Sequence, residues 1–323
     1  MHTTFHEQVP LLPFNNLFSL SMGRSMPVAE FEWKYTLNPH GRAVAWAVSE
    51  PRSKEWLGSV TLMPRLFRVG GKVLRAGQIV DLVVAPERQR QGIFRHLIDR
   101  VWSEHIEHGF DLLFTLPLSS GVSISGFRTM TFMREVGRFR THTRLLRPDP
   151  LLERMVPIPG LRSLATPFIA GGLLVLDRSQ SNASDFEQDV PFSSDEEGFV
   201  VNGEWVNWRL ATPGTRLQSF GWKGGGALVA LRVPGAEIYA LRAGVEGNRG
   251  LWGVLRFLRD NGSSSVELSG RMLTISTSQL RSMGFIKRRG DSLVCFAGSP
   301  RWDDELARAF ERATLSRADL DVP

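Results

Sequence analysis

Two apolar spacings of helical period open the chain. "LLPFNNLFSLSMG" and "VAEFEWKYTLNP" both predict short helices, the second ended by Pro39. The period then changes. "AVAWAVSE" alternates as a strand, and "LGSVTLMPRLFRVGGKVLRAGQIVDLVVAP" predicts strands broken at Gly70-Gly71 and again near Ala76-Gly77. After five polar or charged residues, "GIFRHLIDRVWSEHIEHG" returns to helical spacing, with Ile93, Leu97, Val101 and Ile106 near one face and Gly109 as the stop. "DLLFTLP" is a short buried strand ended by Pro117. Strand, loop, helix and strand in this order make a βαβ unit, which calls for parallel strands and a ligand at their carboxyl ends.

The chain then repeats itself in weakened form. "EWKYTLNP" is echoed by "NWRLATP", and "FRTMTFMREVG" aligns with "LRSMGFIKRRG" at a constant offset of 153, pairing Arg128 with Arg281, Met130 with Met283, Phe132 with Phe285 and Gly137 with Gly290. "FRTMTFMREVG" and "LRSMGFIKRRG" each follow a predicted helix and a short strand. Between them, Ser179 to Trp208 holds no basic residue, while Asp185, Glu187, Asp189, Asp195, Glu196 and Glu197 make it acidic. "SQSNASDFEQDVPF" predicts a linker and "SSDEE" the capped start of a helix. Two related α/β halves follow, residues 1–150 and 191–323, with 151–190 as the linker.

Composition narrows the class. At 323 residues the chain exceeds the usual limit of one hydrophobic core. Lys+Arg at 39 against Asp+Glu at 33 gives +6, which favours anionic ligands. No basic stripe with interleaved aromatics accompanies it, so nucleic acid is not predicted as a partner. One cysteine, Cys295, leaves no disulfide framework and no zinc cluster. His105 and His108 stand three apart without a third ligand, so no metal is predicted and a solvated helix face is the better reading. "FIAGGLLVL" is too short for a bilayer, no signal-peptide pattern opens the chain, and a cytoplasmic location is expected.

The chemistry concentrates in "DLVVAPERQRQGIFRHLIDRVW", Asp81 to Trp102. If its loop joins a buried strand to a helix, the first helical N–H groups lack internal partners and the helix dipole adds positive charge there. The amides of Arg90, Gln91, Gly92, Phe94 and Arg95 would then cradle a pyrophosphate, Gly92 letting it approach the backbone. A plain strand-to-helix turn with a solvated basic rim fits the same spacing.

"VVAPERQRQGIFRHLI" resembles the acyl-CoA motif of the GCN5-related N-acetyltransferases (GNAT), Gln/Arg-x-x-Gly-x-Gly/Ala after a strand ending in proline. Gln89 and Gly92 match it, and Phe94 departs from it. A branch of that family joins "Trp-Lys-Tyr…Pro" to a Gly-Ile-Phe loop, and this chain has both, as Trp33-Lys34-Tyr35…Pro39 and Gly92-Ile93-Phe94. The resemblance implies two tandem GNAT-like α/β domains, each a mixed, mostly antiparallel sheet flanked by helices. The second is degenerate, because "ALRAGVEGNRGLWGVLRFLRD" lacks the Gln/Arg-x-x-Gly spacing.

The resemblance further implies acetyl-CoA or another acyl-CoA as co-substrate. The main chain of Leu82, Val83 and Val84 would pair with the pantetheine arm, and Gln89, Arg90, Gln91, Gly92, Ile93, Phe94 and Arg95 would surround the phosphates. A small-molecule or glycan amine, on a sugar or nucleotide-sugar, would attack the thioester directly. Asp81 is the candidate base, with a locally hydrogen-bonded strand carboxylate as the plainer alternative. Tyr35 is the hydroxyl to watch, and Ser123 could orient a water or simply cap a helix, as could Ser119, Ser120 and Ser125. Many relatives place a tyrosine after the next strand; here the segment is "LPLSSGVSISGF", and the chain's tyrosines are Tyr35 and Tyr239. That departure keeps open a non-catalytic acyl-CoA-binding module. The acceptor is expected where the halves meet, with Trp33 and Trp208 either lining that groove or belonging to the core.

Overall fold

The structure is a computed structural model and describes residues 2–50, 55–117, 121, 123–147, 187–188, 198–232, 235–242, 247–271, 275–288, 293–313 and 315–316. The first half runs β1 (His2–His6), α1 (Leu11–Met22), α2 (Val28–Phe31), a π-helical turn (Glu32–Thr36), β2 (Val44–Ser49), β3 (Trp56–Val69), β4 (Lys72–Val84), α3 (Ile93–Glu104), β5 (Leu112–Thr115), α4 (Ser123–Arg128) and β6 (Arg134–Leu145). The second runs β7 (Glu187–Gln188), β8 (Gly198–Phe199), α5 (Gly203–Leu210), β9 (Leu217–Trp222), β10 (Gly225–Leu231), β11 (Gly235–Arg242), α6 (Gly247–Asp260), β12 (Ser265–Arg271), α7 (Thr277–Ser282), β13 (Ile286–Lys287), β14 (Leu293–Gly298), α8 (Asp304–Arg312) and β15 (Leu315–Ser316). Two mixed, mostly antiparallel sheets flanked by helices result. β4 and β5 are parallel around α3, as are β11 and β12 around α6.

The halves exchange their last strands. β14 lies antiparallel to β5, pairing Phe296 with Thr115, and β6 lies antiparallel to β12, pairing Leu268 with His142. β6 and β14 also pair with each other, so the sheets join along the order β1-β2-β3-β4-β5-β14-β6-β12-β11-β10-β9-β7. Each half's sheet is therefore completed by a strand of the other. The echoed segments sit beside these exchanged strands: Arg128 to Met133 runs into β6, and Arg281 to Arg288 precedes β14 in the chain.

Packing follows the apolar spacing. Ile93, Leu97, Ile98 and Val101 of α3 are buried against Val60, Leu62 and Ile79, each full burial contributing about 1.5–3 kcal/mol. The opposite face of the sheet meets α1, α2, the π-helical turn and α5 in a core that includes Phe14, Trp33, Tyr35, Trp205, Trp208 and Tyr239.

Three expectations are corrected. β4 runs unbroken through Ala76-Gly77, because Gly77 gives room rather than a turn: an added Cβ would sit 3.0–3.1 Å from Leu113, Leu62 and Phe110. Ile106 falls beyond the end of α3 and is 45% exposed. Of the two readings of Trp33 and Trp208, the core one fits: both are buried and stack on each other. His105 is buried rather than solvated, its Nδ1 donating to the Trp102 carbonyl at 2.7 Å, while His108 stacks on Phe5. Most of the predicted linker and "SSDEE" lie outside the described residues; the helix that follows is α5, capped by Asn202.

Burial pushes His105 below the usual histidine range, although the bonds to Trp102 and Val101 and the charge of Asp111 oppose the shift. His6 is lowered by burial as well. A lowered folded-state value means that the unfolded chain takes up the proton first as pH falls, so stability drops below about pH 6.5. His105→Gln should flatten that slope in urea denaturation series collected across this range; an unchanged slope would remove His105 from the account.

Candidate functional site

Everything at the site starts from an irregularity in β4. Thr61 pairs with Val80 and Ser59 with Val83, so Asp81 and Leu82 together oppose Val60. The extra residue is a β-bulge, and Asp81 takes φ 43, a left-handed conformation rare outside glycine. β4 and β5 pair only from Ala76/Leu112 to Gln78/Phe114 among the described residues. Past that point β4 carries on through Leu82, Val83 and Val84 while β5 ends. Val83 is buried, Leu82 and Val84 are half-buried, and the Val84 carbonyl accepts from Ser21 Oγ at 3.2 Å.

The strand then enters a 3-10 turn over Pro86–Arg88 and a loop with two left-handed residues, Arg90 at φ 60 and Gly92 at φ 82. They flank Gln91, an alternation that turns successive N–H groups into one concavity suited to an anion. Gly92 is the residue before α3 and offers no capping side chain, so the helix's first N–H groups are left for an outside acceptor. An added Cβ at Gly92 would meet nothing within 4 Å, which leaves the mouth of the concavity open. Gln89, Arg90 and Gln91 are exposed around it, Gln91 Nε2 donating to the Glu87 carbonyl at 3.1 Å. Arg88 pairs with Glu50, and Arg95 pairs with Asp99 at 2.8 Å.

Phe94 explains its own departure from the motif. Its ring lies against Gly126 of α4, where an added Cβ would be 2.4 Å from the ring, and meets Phe127 edge-on at 5.5 Å. The residue that replaces a small one thus points away from the loop and fastens α4 to α3.

The bulge carries the titratable groups. Tyr35 donates its hydroxyl to Asp81 Oδ2, and Lys34 Nζ stands 2.5 Å from the same oxygen. Lys34 and Tyr35 are 3% and 2% exposed, so the ion pair is dry. Both come from the π-helical turn, which buries the consecutive residues Trp33, Lys34 and Tyr35. The Tyr35 ring is held edge-on by Phe14 and Phe31 at 5.2 and 4.9 Å. Nearby, Arg24 grips Glu30 at 3.1 Å, and this bond raises the guanidinium above its ordinary value, with Asp81 and Tyr35 adding to the effect. An open groove of about 640 Å³ lies beside these elements, between α1 and the ends of β3 and β4, lined by Leu17, Leu20, Trp56, Leu57, Ala85 and Glu87.

Asp81 and Tyr35 are therefore brought together. Ser123 opens α4 and shares no hydrogen bond with them; Ser119 and Ser120 lie outside the described residues. Lys34 is the residue that sequence reasoning missed, although it stands inside the quoted Trp-Lys-Tyr. Among the described residues no group of His, Cys, Asp or Glu could hold a metal. No described helix is long and apolar enough to cross a membrane.

Residues 11–127, which hold the bulge and the start of α3, match the family model described as acetyltransferase (GNAT) domain. Over that stretch the first half is similar to acetyltransferase (GNAT) domains. The whole chain shares its fold with solved GCN5-related N-acetyltransferases. One from Kribbella flavida has a TM-score of 0.60 at 12% identity, covering 92% of this chain and 71% of that chain. One from Anabaena variabilis gives 0.57 at 11%, covering 92% and 72%; a further solved structure, Eis1 from Mycobacterium abscessus, gives 0.54 at 14%, covering 93% and 74%. No curated protein sequence matches the chain.

Proposed function

We propose that the protein is an acyl-CoA-dependent N-acyltransferase that uses acetyl-CoA and works by direct attack of an amine. The observation that carries this reading is the bulged β4, which continues past the end of its pairing with β5 and runs into the left-handed Arg90 and Gly92 at the start of α3. In it, main-chain groups of Leu82, Val83 and Val84 pair with the pantetheine arm as an added strand does. The amides from Arg90 to Arg95 hold the pyrophosphate, with Gln89 and Gln91 at the rim. The amine nitrogen attacks the thioester carbon, a main-chain N–H stabilises the oxyanion, the C–S bond breaks, and the thiolate leaves with a proton in exchange for the one the amine loses. Asp81 and Tyr35 are the groups at the bulge able to pass that proton, and Ser123 is the hydroxyl on the α4 side. The amino-sugar or nucleotide-sugar acceptor rests on the Trp-Lys-Tyr…Pro and Gly-Ile-Phe likeness alone. Residues 1–150 form the acyl-CoA unit and 191–323 the degenerate one, joined by 151–190, in a cytoplasmic protein.

A second reading, a non-catalytic acyl-CoA-binding module, is favoured by one observation: Asp81 already engages both Lys34 and Tyr35, which weakens it as a base. Incubating the protein with acetyl-CoA and a panel of amino sugars, nucleotide-linked amino sugars and alkyl amines, while reading free thiol, separates the two. Amine-dependent thiol release supports the transferase. Saturable acetyl-CoA binding without thiol release from any member supports the module.

A further inference from the structure

One contact between the halves lies directly beside the first half's site. Trp33 and Trp208 stack at 4.6 Å and 9°, the Trp33 Nε1–H donates to the Trp208 carbonyl at 2.8 Å, and the Trp208 Nε1–H donates to the Trp33 carbonyl at 2.8 Å. Such reciprocity is what a two-fold interface produces, here within one chain. Arg209, fully buried, backs the clasp with its guanidinium 4.6 Å from the Trp208 ring and 5.3 Å from the Trp33 ring. The two residues after Trp33 are Lys34 and Tyr35, which hold the Asp81 carboxylate at the bulge.

The second half differs in sequence at these positions. Arg209 and Leu210 follow Trp208, and the register shift between Leu228 and Val229 marks the corresponding bulge at Tyr239, whose buried hydroxyl has no partner among the described residues. In the first half the clasp leads directly into a grip on a charged bulge.

We infer that Trp208 is a positioning residue for the acyl-CoA site: by fixing Trp33 it holds Lys34 and Tyr35 on Asp81, and so keeps β4 parted from β5 where the pantetheine arm enters. This extends the acyl-CoA reading and rests on it. It gives the second half a task that needs no cofactor site of its own. A π-helical turn suits the task, because its wider winding aims three consecutive side chains inward, one at the second half and two at the bulge.

The test uses the full chain with Trp208→Leu, the milder Trp208→Phe, and Val254→Ala as a control that loosens the second half's core away from the clasp. Hydrogen exchange at the amides of Asp81 to Val84 should accelerate in Trp208→Leu, less in Trp208→Phe, and not in Val254→Ala. Titration with acetyl-CoA should weaken by about tenfold in Trp208→Leu, while ADP, which lacks the pantetheine arm, keeps its affinity. Equal exchange in Trp208→Leu and Val254→Ala, or parallel losses for acetyl-CoA and ADP, would overturn the inference. If the wild-type protein binds neither ligand, the acyl-CoA reading fails, and the exchange experiment still decides whether Trp208 holds the bulge.

Discussion

Lys34→Met is expected to destabilise the fold by about 3–5 kcal/mol, because it leaves the Asp81 carboxylate buried without its cation. The ion pair sits at 2.5 Å with side-chain exposures of 4% and 9%, too dry for water to replace the ammonium. Tyr35 still donates to Asp81 in the variant, and one hydroxyl does not neutralise a charge. Adding Asp81→Asn removes that charge, so the double variant should recover most of the loss despite carrying two changes. Urea denaturation of the single and double variants reads the coupling directly. A double variant as unstable as the sum of its parts would mean that the pair is incidental to the bulge.

The second large effect is on binding. Gly92→Trp should abolish acetyl-CoA binding while the free protein stays folded, since the residue is exposed and an added Cβ meets nothing within 4 Å. Its φ of 82 adds a strain of about 1–2 kcal/mol for a non-glycine residue, small against a domain's stability. Gly92→Asn separates strain from obstruction, because asparagine tolerates the left-handed region and is small. Isothermal titration should find binding retained but weaker in Gly92→Asn and absent in Gly92→Trp. Undiminished binding in Gly92→Trp would move the cofactor away from this loop.

The contrast between those two sites shows what the amino-acid order made legible. Helix α3, its start at Gly92 and the βαβ order are local, and apolar spacing with one glycine was enough to predict them. The bulge at Asp81 could not be read, since nothing in "QIVDLVV" marks a left-handed aspartate; it exists because Lys34 and Tyr35, more than 40 positions earlier, reach its carboxylate. The echo of "FRTMTFMREVG" in "LRSMGFIKRRG" announced two related halves, yet not the exchange of β6 and β14, because pairing partners across halves are invisible to local periodicity. Gly77 misled for a related reason: a glycine that makes room for Leu113 and Phe110 looks the same in sequence as one that turns the chain. Lys34 was visible as a letter of a motif, and its burial became plain only with the π-helical turn.

The most direct measurement of the central claim is thermal unfolding of the wild-type protein with acetyl-CoA, free CoA and ADP, followed by titration of each ligand that raises the midpoint. At about 100 times its dissociation constant, acetyl-CoA should stabilise the protein by roughly 2.7 kcal/mol. A midpoint raised by the CoA species and unmoved in Gly92→Trp is the predicted result. No shift with any CoA species would contradict the account.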